Sequence, residues 1–169
     1  MAAAQQQGPR HWGWHPLRPD WAERLVAATP VGAGDVVVDL GAGEGALTDC
    51  LARTGARVLA VELHARRAEE LRRRFAGMRV AVLEMDVRAF TWPGHPFRVV
   101  ANPPYDGVNA LVRRLLATRQ LRSADLVVAE HAARGLARRH RGRVDLGVRV
   151  PRRAFLHRPP YDARVLQIR

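Results

Sequence analysis

The run Val36-Val37-Val38-Asp39-Leu40-Gly41-Ala42-Gly43-Glu44-Gly45-Ala46 decides the fold. An unbroken β-branched stretch reads as a strand buried on both faces, and the glycines after it as a tight turn. Ala46, Leu47, Cys50 and Leu51 then recur at helical spacing. Gly41 and Gly43 allow the turn and let a ligand approach the backbone closely. Working outward, apolar runs at 35–40, 57–62, 79–84, 97–101, 125–129 and 143–150 predict strands, and helical patterns at 20–28, 46–53, 65–75, 108–117 and 130–140 predict helices. This alternation implies an α/β fold, a Rossmann-like doubly wound and mostly parallel sheet. After Pro159-Pro160, residues 163–168 predict a last strand that pairs antiparallel with the preceding one at an edge of the sheet. The 169 residues suit one domain, expected over 20–169, behind an arm at 1–19 rich in Gln, Gly, Pro and Trp and expected to be partly disordered.

Gly41-x-Gly43-x-x-Ala46 with Glu62 about twenty residues later also fits the dinucleotide fingerprint of NAD enzymes. Either way Glu62, ending the second predicted strand, is placed to accept from ribose hydroxyls. The third strand favours S-adenosyl-L-methionine: Asp86 is placed to accept from an adenine amino group and Val87 to pack the base. Asp39 and Glu44 suit a cationic sulfonium better than a pyrophosphate. Asn102-Pro103-Pro104-Tyr105, directly after the predicted strand 97–101, completes the argument. A conjugated amino group is a poor nucleophile. The Asn102 side-chain oxygen and the Pro103 carbonyl can both accept from one NH2 and draw it towards tetrahedral nitrogen, while Tyr105 offers an aromatic face.

These motifs resemble the erythromycin-resistance (Erm) rRNA adenine-N6 methyltransferases and the related ribosomal adenine dimethyltransferases. The resemblance rests on residues 39–48, on Val61-Glu62-Leu63, on Asp86 and on residues 100–105, and extends through residues 150–155 to Pro159-Pro160-Tyr161-Asp162-Ala163-Arg164-Val165. It implies a class I S-adenosylmethionine-dependent enzyme that transfers methyl directly, in line, to a flipped adenine of 23S rRNA, conferring macrolide, lincosamide and streptogramin B resistance. It further implies that Gly41, Gly43, Glu62, Asp86, Val87 and Asn102 hold the cofactor, and that Tyr105 and Phe155 sandwich the adenine. The family's amino-terminal Gln-Asn-Phe-Leu segment is replaced by Trp14-His15-Pro16-Leu17, so His15 and Leu17 are expected beside the methionine part of the cofactor. His157, Tyr161 and Ala163 stand where the family usually has Pro, Val and Ser. The family's helical carboxy-terminal domain has no counterpart before Arg169.

The net charge is +12 and all 28 basic residues are arginine, which favours a polyanionic partner, taken as 23S rRNA or a ribosomal precursor particle. Arg138, Arg139, Arg141, Arg143, Arg152 and Arg153 are the candidate RNA contacts, joined by Arg134 and His140 and by the arm with Arg10, Trp12, Trp14 and Arg18. The lone Cys50 excludes an internal disulfide and a multi-cysteine zinc site, and the histidines lack metal-ligand spacing. No secretion signal or membrane-length apolar run is present, so a cytoplasmic monomer is expected, with no membrane or metal partner. Methylation of adenine in DNA or of glutamine in protein uses similar Asn-Pro-Pro-Tyr chemistry and stays open, as does a binding-only ribosome-assembly factor.

Overall fold

A computed structural model describes residues 15–104 and 106–169. The elements run α1 (Pro19–Ala27), β1 (Val36–Leu40), α2 (Ala46–Arg53), β2 (Arg57–Glu62), α3 (Ala65–Arg74), β3 (Val80–Glu84), β4 (Phe97–Ala101), α4 (Val108–Leu116), β5 (Leu121–Ala129), α5 (Glu130–Arg139), β6 (Val144–Val150) and β7 (Ala163–Ile168). Seven strands form one sheet in the order β3-β2-β1-β4-β5-β7-β6. The first five are parallel, and β7 runs antiparallel to both β5 and β6. The edge expected for the last strand therefore belongs to β6. The connection from β6 returns over the carboxyl end of the sheet, so β7 descends between its neighbours, pairing Ala163 with both Ala129 and Val150. A bulge between Leu146 and Arg149 bends the exposed strand β6, a common way to blunt a sheet edge.

Each helix forms because its apolar residues share one face. In α4, Val108, Leu111, Val112 and Leu115 are buried at helical spacing. Pro19 in the first turn of α1 fits a helix start, where no N–H partner is missed. Alternate residues of the strands then sort into two cores. Val38, Leu40, Val99, Ala101, Leu126 and Val128 meet α4 and α5. Val37, Val58, Val100 and Val127 meet α1 and α2, and Ala60 on that same face meets α3. Central β1 is buried from Val37 to Leu40, which is why it reads as an apolar run interrupted only by Asp39.

The connection from β3 to β4 contains only a short 3-10 turn, Val87–Ala89. Aromatic packing replaces a helix there. Trp92 stacks on Phe97 at 5.5 Å and meets Phe90 edge-on at 5.4 Å. Arg114 of α4 lies over Trp92 and donates to the Val87 and Phe90 carbonyl oxygens. Among the described residues no helix is long and apolar enough to cross a membrane.

Candidate active site

The strand order reverses between β1 and β4, and the carboxyl ends of β1, β2, β3 and β4 lie side by side at this switch point, where open α/β sheets bind their ligands in a crevice. Gly41 adopts φ +75°, and its N–H and that of Ala42 donate to the Val61 carbonyl at 2.8 and 2.9 Å. Glu62 is buried. Its Oε2 accepts from the Gly43 N–H at 2.7 Å and its Oε1 from the His64 N–H at 2.9 Å. The loop is thus held by the acid expected to bind ribose, and each oxygen keeps a second lone pair for a ligand.

Asp39 lies beneath this loop, 1% exposed, with Oδ2 accepting from the Thr48 hydroxyl at 2.7 Å. Burial pushes its carboxyl up from 3.8 to about 7; the Thr48 hydrogen bond opposes this and the Glu62 charge reinforces it. The folded protein therefore holds the proton more tightly than the unfolded chain. Its stabilising contribution is fully present below about pH 4 and is lost as pH rises through about 7. Asp39→Asn, which cannot ionise, is expected to melt several degrees above the parent at pH 8.5 and close to it at pH 5. Parallel melting curves against pH for the two proteins would overturn this assignment.

Asp86 follows β3, and both its oxygens are engaged by Arg88, at 3.0–3.1 Å from Nε and 2.6 Å from Nη2, with the Arg88 N–H at 2.8 Å. Hydrogen bonds from the Arg88 side chain hold the carboxyl below its usual range. Arg88 is 85% exposed, so this pair is weak and open to exchange. Val87 packs partly buried against the core, its carbonyl fixed by Arg114. Leu63, directly after Glu62, leaves 58% of its surface exposed at the end of β2.

Asn102 follows β4, and its Nδ2 donates to the His15 carbonyl oxygen at 2.8 Å. A carbonyl only accepts, so the amide is fixed with nitrogen towards His15 and oxygen turned away from it. His15 belongs to a strap that pairs with the late loop. Leu156 N–H donates to the Pro16 carbonyl and Arg18 N–H to that of Ala154, both at 2.8 Å, across a bridge between Leu17 and Phe155. His15 thus reaches Asn102 through its backbone, while its ring meets Phe155 edge-on at 6.4 Å and its Nδ1 lies 3.1 Å from the His157 carbonyl oxygen. Leu17 and Phe155 are each 3% exposed and belong to the core on the α1 face. A Cβ placed on Gly41 would stand 3.1 Å from Pro104 Cδ and 3.9 Å from Pro103 Cα. The glycine loop and the Asn102 loop are therefore in contact. Tyr105 and residues 1–14, including Arg10, Trp12 and Trp14, lie outside the described residues.

The arginines divide. The ten residues of α5 lead about 15 Å away from the carboxyl end of the sheet, with Arg138 and Arg139 in the last turn and Arg141 and Arg143 beyond it. Arg138 and Arg141 line a groove of about 440 Å3 at the opposite end of the sheet from Asn102. Arg143 donates to the Leu116 carbonyl at 2.7 Å and caps α4, and Arg134 pairs with Glu130. Arg152 and Arg153 lie on the crevice side, where Arg152 closes the late loop by donating to the Pro159 carbonyl at 2.7 Å. Among the described residues no cluster of His, Cys, Asp or Glu is arranged to hold a metal ion. Sequence reasoning missed Thr48, Arg114 and the His15 carbonyl. Thr48 was open to discovery, one turn into the helix after the loop; Arg114 reads as one more solvated arginine, and a main-chain acceptor leaves no trace in residue identity.

The profile of the ribosomal RNA adenine dimethylase family matches residues 19–150. A probable ribosomal RNA small subunit methyltransferase A of Thermococcus kodakarensis is 31% identical over 161 residues, covering 88% of this chain and 57% of that protein. The mycinamicin-resistance protein MyrB of Micromonospora griseorubida is 32% identical over 139 residues, covering 79% and 44%. The crystal structure of the 23S rRNA methyltransferase ErmE superposes with a TM-score of 0.83 at 25% identity, over 91% of this chain and 69% of that one. The chain spans about half the length of the curated relatives it matches.

Proposed function

We propose, from the premise that the chain belongs to the ribosomal RNA adenine dimethylase family, that it is an S-adenosylmethionine-dependent methyltransferase acting on the N6 of an adenine in 23S rRNA. The observation that carries this reading is the contact between Gly41 and Pro104, which sets a cofactor cradle against an Asn102 amide of fixed polarity. The cradle fits the cofactor. Gly41 and Gly43 have positive φ and bring backbone without Cβ atoms to the cradle, and the acids Glu44 and Glu62 beside it suit a cation. The cofactor supplies an electrophilic methyl group on a sulfonium. Glu62 and Asp86 would hold ribose and adenine, Leu63 and Val87 would pack the base, and Arg114 would keep the Asp86 loop in place.

For the target, Asn102 Oδ1 and the Pro103 carbonyl accept the two N–H bonds of the amine and direct its lone pair out of conjugation. The proton turns acidic only as the new bond forms, so water suffices to remove it. Flipping is required because a stacked, paired adenine hides N6. Tyr105 directly follows Pro104 in sequence, and we assign it the stacking face over the flipped base. Phe155, sealed under the strap, supports that pocket from behind.

Likeness to ErmE and MyrB supports 23S rRNA and a role in macrolide resistance; the small-subunit relative of Thermococcus supports 16S rRNA as the second reading. Purified protein incubated with each protein-free rRNA and S-adenosylmethionine, followed by nucleoside mass spectrometry, separates them. N6-methylated adenine in 23S rRNA, absent with Tyr105→Ala, is expected. Product in 16S rRNA alone would select the second reading, and product in neither would overturn both for protein-free RNA.

A further inference from the structure

We propose that Tyr161, braced edge-on by His131, is a stacking platform for an unpaired RNA base next to the flipped adenine, an assignment that rests on the RNA methyltransferase reading above. Tyr161 is 53% exposed. An exposed aromatic ring is usually free to move, but here the backbone is fixed on both sides and the ring itself meets a neighbour. Pro159 and Pro160 precede it and fix their own φ angles. Asp162 follows it, with its carboxylate accepting from the Arg152 N–H at 3.0 Å and from Arg149 Nη2 at 2.5 Å, and its carbonyl from the Glu130 N–H at 2.9 Å. The His131 ring meets the phenol ring at 5.1 Å and 81°, a contact that takes at most one face and leaves the other for a ligand.

Position and charge point to nucleic acid. The pairing of Ala129 with Ala163 puts Tyr161 beyond the carboxyl end of β5 and the amino end of β7, and Asn102 follows β4, the neighbour of β5. That places it at the same end of the sheet as the catalytic loop, two strand spacings, roughly 10 Å, away across the strands. Arg153 and Arg158 are exposed on the same late loop, with no carboxylate partner among the described residues. The acids nearby are neutralised: Glu130 by Arg134 and Arg164, Asp162 by Arg149. A rigid aromatic face beside free guanidinium groups is how proteins hold single-stranded RNA, and flipping one base leaves its neighbour without a stacking partner. Tyr161 stands where the resembling family usually has valine, so the platform would be a property of this chain.

Fluorescence anisotropy with an unstructured adenine-containing RNA, without cofactor, tests this independently of methyl transfer. Tyr161→Ala and Tyr161→Val are expected to weaken binding by roughly five- to a hundredfold, and Tyr161→Phe to keep it within about twofold. The slope of log affinity against log salt should be unchanged in Tyr161→Ala, since no phosphate contact is lost, and should fall by about 0.7 in Arg153→Ala. Equal affinity of Tyr161→Ala and the parent, or a loss in Tyr161→Phe as large as in Tyr161→Ala, would overturn the platform. If the parent binds in a Tyr161-dependent way but methylates no rRNA, the platform stands and the proposed reaction fails.

Discussion

Asn102→Ala is expected to slow methyl transfer by on the order of a hundred- to a thousandfold while leaving the protein folded. In the proposed mechanism the substitution removes the side-chain acceptor assigned to draw the target amine out of conjugation, an interaction needed most where nitrogen becomes tetrahedral. It also removes the donor to the His15 carbonyl. That part-buried hydrogen bond is worth about 1 kcal/mol, so Tm should fall by only about 2–4 °C in a chain of this size. Asn102→Asp separates the two effects. A carboxylate keeps the acceptor but faces the His15 oxygen with another oxygen, so it turns away from the strap or takes up a proton. Single-turnover rates should show it nearly as slow as Asn102→Ala. If Asn102→Asp were close to the parent, the strap would have no part in orienting the amide, and the assignment of His15 as its backbone anchor would fail.

This anchor marks how far the sequence could be read. Residues in β1, β2 and β4 announce themselves because parallel strands buried on both faces must be largely apolar, the edge strand β3 by its apolar run Val80 to Leu83, and the glycine loop because its backbone needs positive φ. The start of β5 was hidden: Leu121 to Ala124 includes Arg122 and Ser123, which are tolerated because Ser123 accepts from Arg98 on the neighbouring strand. Placing β7 inside the sheet required knowing where the chain crosses after Val150, which depends on the 3-10 turn Arg152–Ala154 and the strap contacts rather than on the pattern within 163–168. The arginines were the least legible. Arg143 and Arg153 look alike in sequence, yet the direction of α5 and β6 puts one at the base of the sheet, capping α4, and the other on the crevice side. Composition can favour a polyanionic partner, but only the fold decides which charges share a face with Asn102.

The same dependence of site on fold predicts that one substitution at two glycines of one loop will have different consequences. Gly41→Ala should damage the reaction. Its φ of +75° already costs an L residue roughly 1–2 kcal/mol, and the new Cβ meets Pro104 Cδ at 3.1 Å with Pro103 Cα behind it. Neither neighbour is the flexible end of a side chain, so the loop carrying Asn102 must give way. A displacement of even a fraction of an ångström there is expected to lower kcat by about ten- to a hundredfold, with a smaller loss of stability. Gly45 has φ +85°, but its Cβ would lie 2.7 Å from Leu71 Cδ2 and 3.3 Å from the Phe75 ring, between α2 and α3. Gly45→Ala therefore strains the packing of α3 by about 2 kcal/mol or more, lowering Tm by roughly 4–8 °C and leaving the folded fraction closer to parental turnover. Thermal melts and single-turnover rates on both variants separate the two effects. Parental kcat in Gly41→Ala would mean that the cofactor cradle and the Asn102 loop adjust independently, and the contact on which the proposed function is built would lose its force.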